Sequence, residues 1–264
     1  MADTQPSPTI DADLARRLHR ALLASSEELF QIIQDPAMEV LNNALKNRHL
    51  HEDHLKALLK RRDLRENLLK AVYHHDHLKR SHALRLALVK NPTTPGPIVL
   101  TILPQLHLFE LVNLCFMPGI TPDQKYAVER AIVQRLPTTE LGNRMTLARR
   151  ATATVVGEIL KSGEIQLVEI CLNNPRLREV TILQFLNGAN STAETISMVA
   201  RHSKWKTRPN LRMAILKNRR TPAVWFTLFL PSLRTTDIRS LLASRRLNPN
   251  QKKLTEGELA KRGK

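Results

Sequence analysis

Apolar residues recur along this chain every three or four positions, in runs of about ten residues separated by Asn, Pro and charged pairs. Leu84, Ala87 and Leu88 make one such stripe and Leu211, Ala214 and Ile215 another, the spacing of a face on an α-helix. Pro95 and Pro222 stand where a second helix begins, a position at which the missing N–H is harmless. Pro104 and Pro231 then predict a stop after about two and a half turns. Ser25 and Glu28 form a capping box before the apolar run Leu29, Phe30 and Ile33. Gly is scarce at 8 residues, and aromatics make up 4%. Alternating Val, Ile, Thr and Tyr runs between Asn-Gly turns are missing, so the chain reads as all-α.

The stripes repeat. LRLALVKNPTTPGPIVLTILPQL, Leu84 to Leu106, returns without a gap as LRMAILKNRRTPAVWFTLFLPSL, Leu211 to Leu233. Weaker copies share the register: Asn47, Asn91, Arg135, Asn174 and Asn218 close corresponding helices at spacings of 44, 44, 39 and 44. A unit of forty-odd residues cannot bury an apolar face alone, so copies must stack. The expected architecture is an α-solenoid of about five helix-pair units in one domain, residues 13–264. An N-terminal cap from Leu14 to Ile33, a short C-terminal cap and a tail at residues 1–12 complete it. The recurrent Asn suits a left-handed C-terminal position and can bond neighbouring loops into a ladder; ligand contact is the other reading. Arg135 and the shorter spacing after it predict an irregular junction near residues 137–152.

The pattern A-x-x-K-N-P-x-T-P followed by a leucine-rich helix, as in ALVKNPTTPGPIVLTIL and more loosely CLNNPRLREVTILQFL, resembles the leucine-rich repeat variant and HEAT-like helical repeats of bacterial proteins. The resemblance runs from about Leu41 to Gln251. It implies a helical binding scaffold and carries no site residues across. The leucine-rich repeat variant unit is nearer half this length, and its cysteine cluster for an iron–sulfur centre has no counterpart here.

The net charge of +17 is concentrated at one end. Residues 1–100 hold 15 Lys and Arg against 12 acids, residues 101–200 hold 9 against 9, and residues 201–264 hold 17 against 3. That asymmetry is the footprint of a polyanion partner, although a terminal repeat also needs a polar outer face. MADTQPSPTIDA at the start has two acids, two prolines and no Lys or Arg, unlike a signal or transit peptide. AVWFTLFLP, Ala223 to Pro231, is the strongest apolar run and far too short for a membrane span. Cys115 and Cys171 fall inside apolar helical patterns, as buried structural thiols do. A cytoplasmic location, no membrane partner and no cofactor are the expectations that follow.

The leading candidate site is RHSKWKTRPNLR. There Arg201, Lys204, Lys206 and Arg208 surround Trp205, giving phosphate-binding cations around a ring able to stack on a base. Arg219 and Arg220 replace Pro92 and Thr93 of the earlier copy, and Arg245 and Arg246 replace Pro118 and Gly119. Seven of the ten histidines lie between His49 and His82. The pairs His51/His54 and His74/His77 could converge on one divalent metal or form a solvated face. Asp237 in the basic quarter admits a HEAT-like DNA glycosylase by fold analogy, with no family motif matched. Trp225, beside Phe226 and Phe229, reads as core. The functional expectation is a non-enzymatic scaffold binding nucleic acid or a ribonucleoprotein through Arg201–Arg246, with a protein–protein adaptor for an acidic partner as the alternative.

Overall fold

The computed structural model describes residues 11–262. Of the expected tail, residues 1–10 lie outside that range, while Asp11 caps and Ala12 opens the first helix. Among the described residues every regular element is helical. The chain divides into two compact units between Ala131 and Ile132. The first carries α1 (Ala12–Leu23), α2 (Ser26–Ile32), α3 (Met38–Ala44), α4 (Glu52–Leu58), α5 (Glu66–His74), α6 (Asp76–Arg80), α7 (His82–Lys90), α8 (Gly96–Ile102) and α9 (Leu108–Leu114). The division falls inside α10 (Pro122–Arg135). The second carries α11 (Leu141–Arg150), α12 (Ala153–Lys161), α13 (Ile165–Asn173), α14 (Glu179–Asn187), α15 (Ala193–Arg201), α16 (Pro209–Lys217), α17 (Ala223–Phe229), α18 (Thr235–Ala243) and α19 (Pro249–Arg262).

The sequence repeat is a structural repeat. Helices α7, α8 and α9 have α16, α17 and α18 as counterparts, each starting 127 residues later (His82 to Pro209, Gly96 to Ala223, Leu108 to Thr235). Pro104 and Pro231 do not end their helices abruptly; each sits inside a 3₁₀ turn, Leu103–Gln105 and Leu230–Ser232. The Thr94 hydroxyl donates to the Leu88 carbonyl at 2.6 Å, and the Thr221 hydroxyl to Ile215 at 2.5 Å. Leu84, Leu88, Val99 and Ile102 are buried in one copy, and Leu211, Ile215, Phe226 and Phe229 in the other. Unit length and helix count part company, however. Between Asn47 and Asn91 stand four short helices, α4 to α7, where the sequence pattern suggests a pair.

Short helices leave many backbone groups without partners, since the last four carbonyls of any α-helix have no intrahelical donor. The asparagines supply that donor. Asn47 Nδ2 donates to the Ala21 and Ala24 carbonyls at 2.9 and 3.1 Å. Asn91 reaches Leu59 and Arg61 at 2.9 and 2.6 Å. Asn174 reaches Ala148 at 2.7 Å and Asn218 reaches Leu186 at 2.6 Å. The other end of each amide accepts the N–H two residues on, at 2.8 to 3.0 Å, from His49, Thr93, Arg176 and Arg220. The expected ladder is therefore present. The expected left-handed backbone is not: Asn91, Asn174 and Asn218 have φ of −75°, −69° and −87° with extended ψ. The side chain must face back toward the preceding turn, which an extended residue allows.

Other residue types take the same part elsewhere. Buried Gln251 on α19 donates to the carbonyls of Asn218, Arg219 and Thr221, and Arg61 reaches those of Ile33 and Asp35 at 2.7 and 2.8 Å. Arg135, at the asparagine's register position, ends α10; its carbonyl accepts the Thr139 hydroxyl at 2.7 Å. The stretch 137–152 that the broken spacing marks holds the rest of a 3₁₀ turn, Leu136–Thr138, followed by α11. Both cysteines are buried free thiols, pushed up to about 12 by burial. Native protein is expected to resist a thiol reagent at pH 8 until denaturant is added; fast labelling of either residue would contradict the packing.

Removing the Asn91 amide strands two carbonyls and the Thr93 N–H, at about 1–3 kcal/mol for each group left buried. Asn91→Ala is therefore expected to cost about 2–4 kcal/mol in urea unfolding. Asn187→Ala, which removes an exposed bond within one helix, is the control and should cost under about 0.5 kcal/mol.

Candidate functional site

The basic stretch of the second unit separates into two places. Helix α16 is nine residues long, about 13 Å from end to end at 1.5 Å per residue. Arg201, Lys204, Lys206 and Arg208 lie before its N-terminus, Arg219 and Arg220 beyond its C-terminus. All six are exposed, yet they do not form one surface of interleaved cations and ring.

Trp205 is the clearest correction. Its side chain is 3% exposed, and its indole N–H donates to the Leu172 carbonyl at 2.9 Å. The ring is a core anchor and offers no face to a base; Lys204 Nζ sits 4.4 Å from its centroid. A shift of 127 residues places Trp205 on Leu78, which is also 3% exposed. The same shift places His202 on His75, and the two rings are used alike. The His75 Nδ1 accepts from the His77 N–H and Nε2 donates to Leu45. The His202 Nδ1 accepts from Lys204 N–H and Nε2 donates to Asn173 Oδ1. Extending the repeat alignment nine residues upstream of Leu211 would have assigned Trp205 to the core. Trp225 departs in the opposite sense: it is half-buried on α17, its N–H bonded to Ser197 Oγ at 2.9 Å.

The structure does bring cations together at the C-terminal end of α16. Lys217, Arg219, Arg220 and Arg246 line an open cleft of about 380 Å³ together with Gly188 and Ala189. Among the described residues no carboxylate lines it. Arg219 Nε donates to the Arg246 carbonyl at 3.1 Å, and Arg220 donates to the carbonyls of Ala189 and Ser191, so both guanidinium groups are held in place by backbone. Lys217 escapes sequence reasoning because it repeats Lys90 and looks like scaffold. Arg245 stands next to the cleft with φ of 52°, a left-handed conformation that a non-glycine residue adopts at a cost.

The acids of this region are already engaged. Asp237 accepts from Arg234 at 3.0 Å, Glu258 from Arg262 at 3.1 Å, and Glu256 lies 3.7 Å from Lys252. Asp237 therefore sits in a local ion pair at the start of α18, with Trp205 enclosed elsewhere.

Three histidines of the first unit, His54, His75 and His77, are wired into backbone. His54 is buried; its Nδ1 accepts from the His51 N–H at 2.9 Å and its Nε2 donates to Ser26 at 2.8 Å. His77 Nε2 donates to Leu50 at 3.1 Å. With those nitrogens committed, the pairs His51/His54 and His74/His77 do not converge on a metal. A different trio meets instead: among the described residues, His82, His107 and Glu110 have ligand atoms within 4.8 Å of one another.

Burial holds His75 and His202 below the usual imidazole value, helped by the neighbouring charges of His77 and Lys204 respectively. The unfolded chain then binds more protons than the folded one as pH falls through about 6.5. Their contribution is full above that pH and declines below it, so His75→Gln is expected to flatten the loss of stability between pH 7.5 and 5.5. Trp205→Ala should cost about 3–5 kcal/mol, and Trp205→Leu, which restores the residue of the earlier copy, clearly less; equal costs in denaturant unfolding would contradict the repeat equivalence.

No protein family, curated protein or solved structure matches the chain. The likeness to HEAT-like and leucine-rich repeat variant proteins rests on the repeat pattern alone.

Proposed function

We propose that this chain is a non-enzymatic helical-repeat scaffold, of stacked HEAT-like units, whose second unit binds a polyanion through phosphate groups, nucleic acid or a ribonucleoprotein being the partner chemistry it suits. The observation that carries the reading is the cleft lined by Lys217, Arg219, Arg220 and Arg246 and, among the described residues, by no carboxylate. Two of its guanidinium groups are pre-positioned by backbone carbonyls, which reduces the ordering cost of gripping a phosphate. Arg245 holds a left-handed position that glycine would occupy without strain, and a strained side chain beside a basic cleft is a motive for keeping arginine there. With Trp205 enclosed, stacking drops out of the mechanism and the contacts are ionic. Such binding is weakly selective for sequence and steeply dependent on salt. The glycosylase alternative loses both residues it invoked, since Trp205 is core and Asp237 is paired with Arg234.

One observation favours the adaptor reading. In the first unit Leu59, Leu86, Ala87 and Met117 floor a groove of about 550 Å³ rimmed by Lys60, Arg62 and Lys90, a complement to an acidic amphipathic segment.

The test is fluorescence anisotropy of labelled single- and double-stranded DNA and RNA from about 50 to 300 mM salt, a range over which several phosphate contacts change affinity by orders of magnitude. Lys217→Glu with Arg246→Glu leaves the structural bonds of Arg219 and Arg220 in place. It is expected to weaken binding at least tenfold and to lower the salt slope by about two. An unchanged slope would overturn the assignment of this cleft, and no binding at 50 mM would leave the groove of the first unit as the working surface.

A further inference from the structure

In the first unit, the side chains that open α7 and α9 meet. His82 Nε2 donates to Glu110 Oε2 at 2.8 Å, and the His82 and His107 rings lie 4.5 Å apart, centroid to centroid. Glu110 Oε2 also accepts the His107 backbone N–H at 2.8 Å. Burial raises the Glu110 carboxyl, but the His107 N–H and the His82 ring outweigh it, and the group stays below its usual range and ionised. We propose that His82, His107 and Glu110 form a binding site for a divalent transition-metal ion of the zinc class.

The donor set is right for that class. Two imidazole nitrogens and one carboxylate oxygen leave a fourth position for water, the open arrangement zinc accepts, and imidazole favours such ions over magnesium or calcium. The three ligand atoms lie within 4.8 Å of one another, against about 3.4 Å between ligands held 2.0–2.1 Å from a tetrahedral ion. Side-chain rotation closes that difference, because His107 is exposed and the other two are half-buried, which also leaves the ion a way in. Glu110 supplies the negative charge needed where two helix N-termini present positive ends.

The second copy of the repeat acts as an internal control. Its corresponding residues are Pro209, Arg234 and Asp237. Helices α16 and α18 begin at the matching positions, and the turn before α18 is closed by the Arg234–Asp237 pair at 3.0 Å. The scaffold therefore forms without either histidine, so packing alone does not require them at 82 and 107. Of the other histidines, His54, His75 and His77 each commit a ring nitrogen to a backbone carbonyl. A bound ion would tie the start of α7 to the start of α9 and stabilise the first unit by mass action.

The experiment uses the full chain, freed of metal by chelator and dialysis, titrated with Zn²⁺ by calorimetry and with Co²⁺ by visible absorption. The expected result is one ion per chain, a cobalt spectrum of low coordination number and a rise in the thermal midpoint with zinc. His107→Arg reproduces the residue of the second copy and keeps a partner for Glu110, so it should fold normally. It is expected to weaken binding at least tenfold and abolish the thermal shift, as is His82→Ala. Circular dichroism checks that each variant is folded, and if His82→Ala is not, His107→Arg decides. No binding at about 100 µM ion, a level that would leave at most a weak association, overturns the proposal. So does binding of equal stoichiometry and affinity in His107→Arg, which would assign the ion to other histidines.

Discussion

A side-chain amide that reaches back to the carbonyls of the preceding turn is the interaction on which each unit depends. Helices of seven to nine residues, such as α3, α7, α13 and α16, have about as many unsatisfied terminal backbone groups as satisfied ones. Hydrophobic stripes hold such helices side by side, but they cannot answer carbonyls buried at the turns, and an unanswered one costs about as much as a whole buried methylene or more. Asn47, Asn91, Asn174 and Asn218 answer them across spans of 23 to 32 residues. Each amide also pins its own turn through the N–H two residues on. One residue thus sets both the exit of its helix and the distance to the turn before it.

The same demand explains why polar and charged residues in the turns are a poor guide to ligand contact. Arg61, Arg220, Arg262 and Gln251 all donate to carbonyls 26 to 33 residues earlier, and His54, His75 and His77 use their rings in the same way. Charge at these positions serves the scaffold first. What marks a site is charge left over once the carbonyls are answered. Lys217 and Arg246, in a cleft with no carboxylate among its described lining residues, are such a remainder, and so is the trio of His82, His107 and Glu110.

Two copies of one helix set, 127 residues apart, separate scaffold from surface. Leu84 and Leu211, Thr94 and Thr221, Pro104 and Pro231 keep their places because packing and turn geometry demand them. Pro92 and Thr93 against Arg219 and Arg220, or His107 and Glu110 against Arg234 and Asp237, show how freely the turns change while the helices keep their starting positions. The first kind of position fits a core to about a methylene; the second needs only some group of the right polarity.

Periodicity, the gapless repeat and the proline positions determined by themselves that the chain is helical, where its main helices begin and that a recurrent Asn would tie turns together. Those properties are local, or follow from a register that letters alone display. The sequence could also have placed Trp205 in the core through its alignment with Leu78, had the repeat been followed far enough upstream. Only the tertiary structure decided the rest. It set the asparagine backbone extended and split each unit into more helices than two. It placed Arg201–Arg208 and Arg219–Arg220 at opposite ends of α16, and it joined His82 to His107 and Glu110. Those outcomes depend on which helix ends meet in space and which carbonyls are left for a side chain to find, and neither is written in the spacing of residues along the chain.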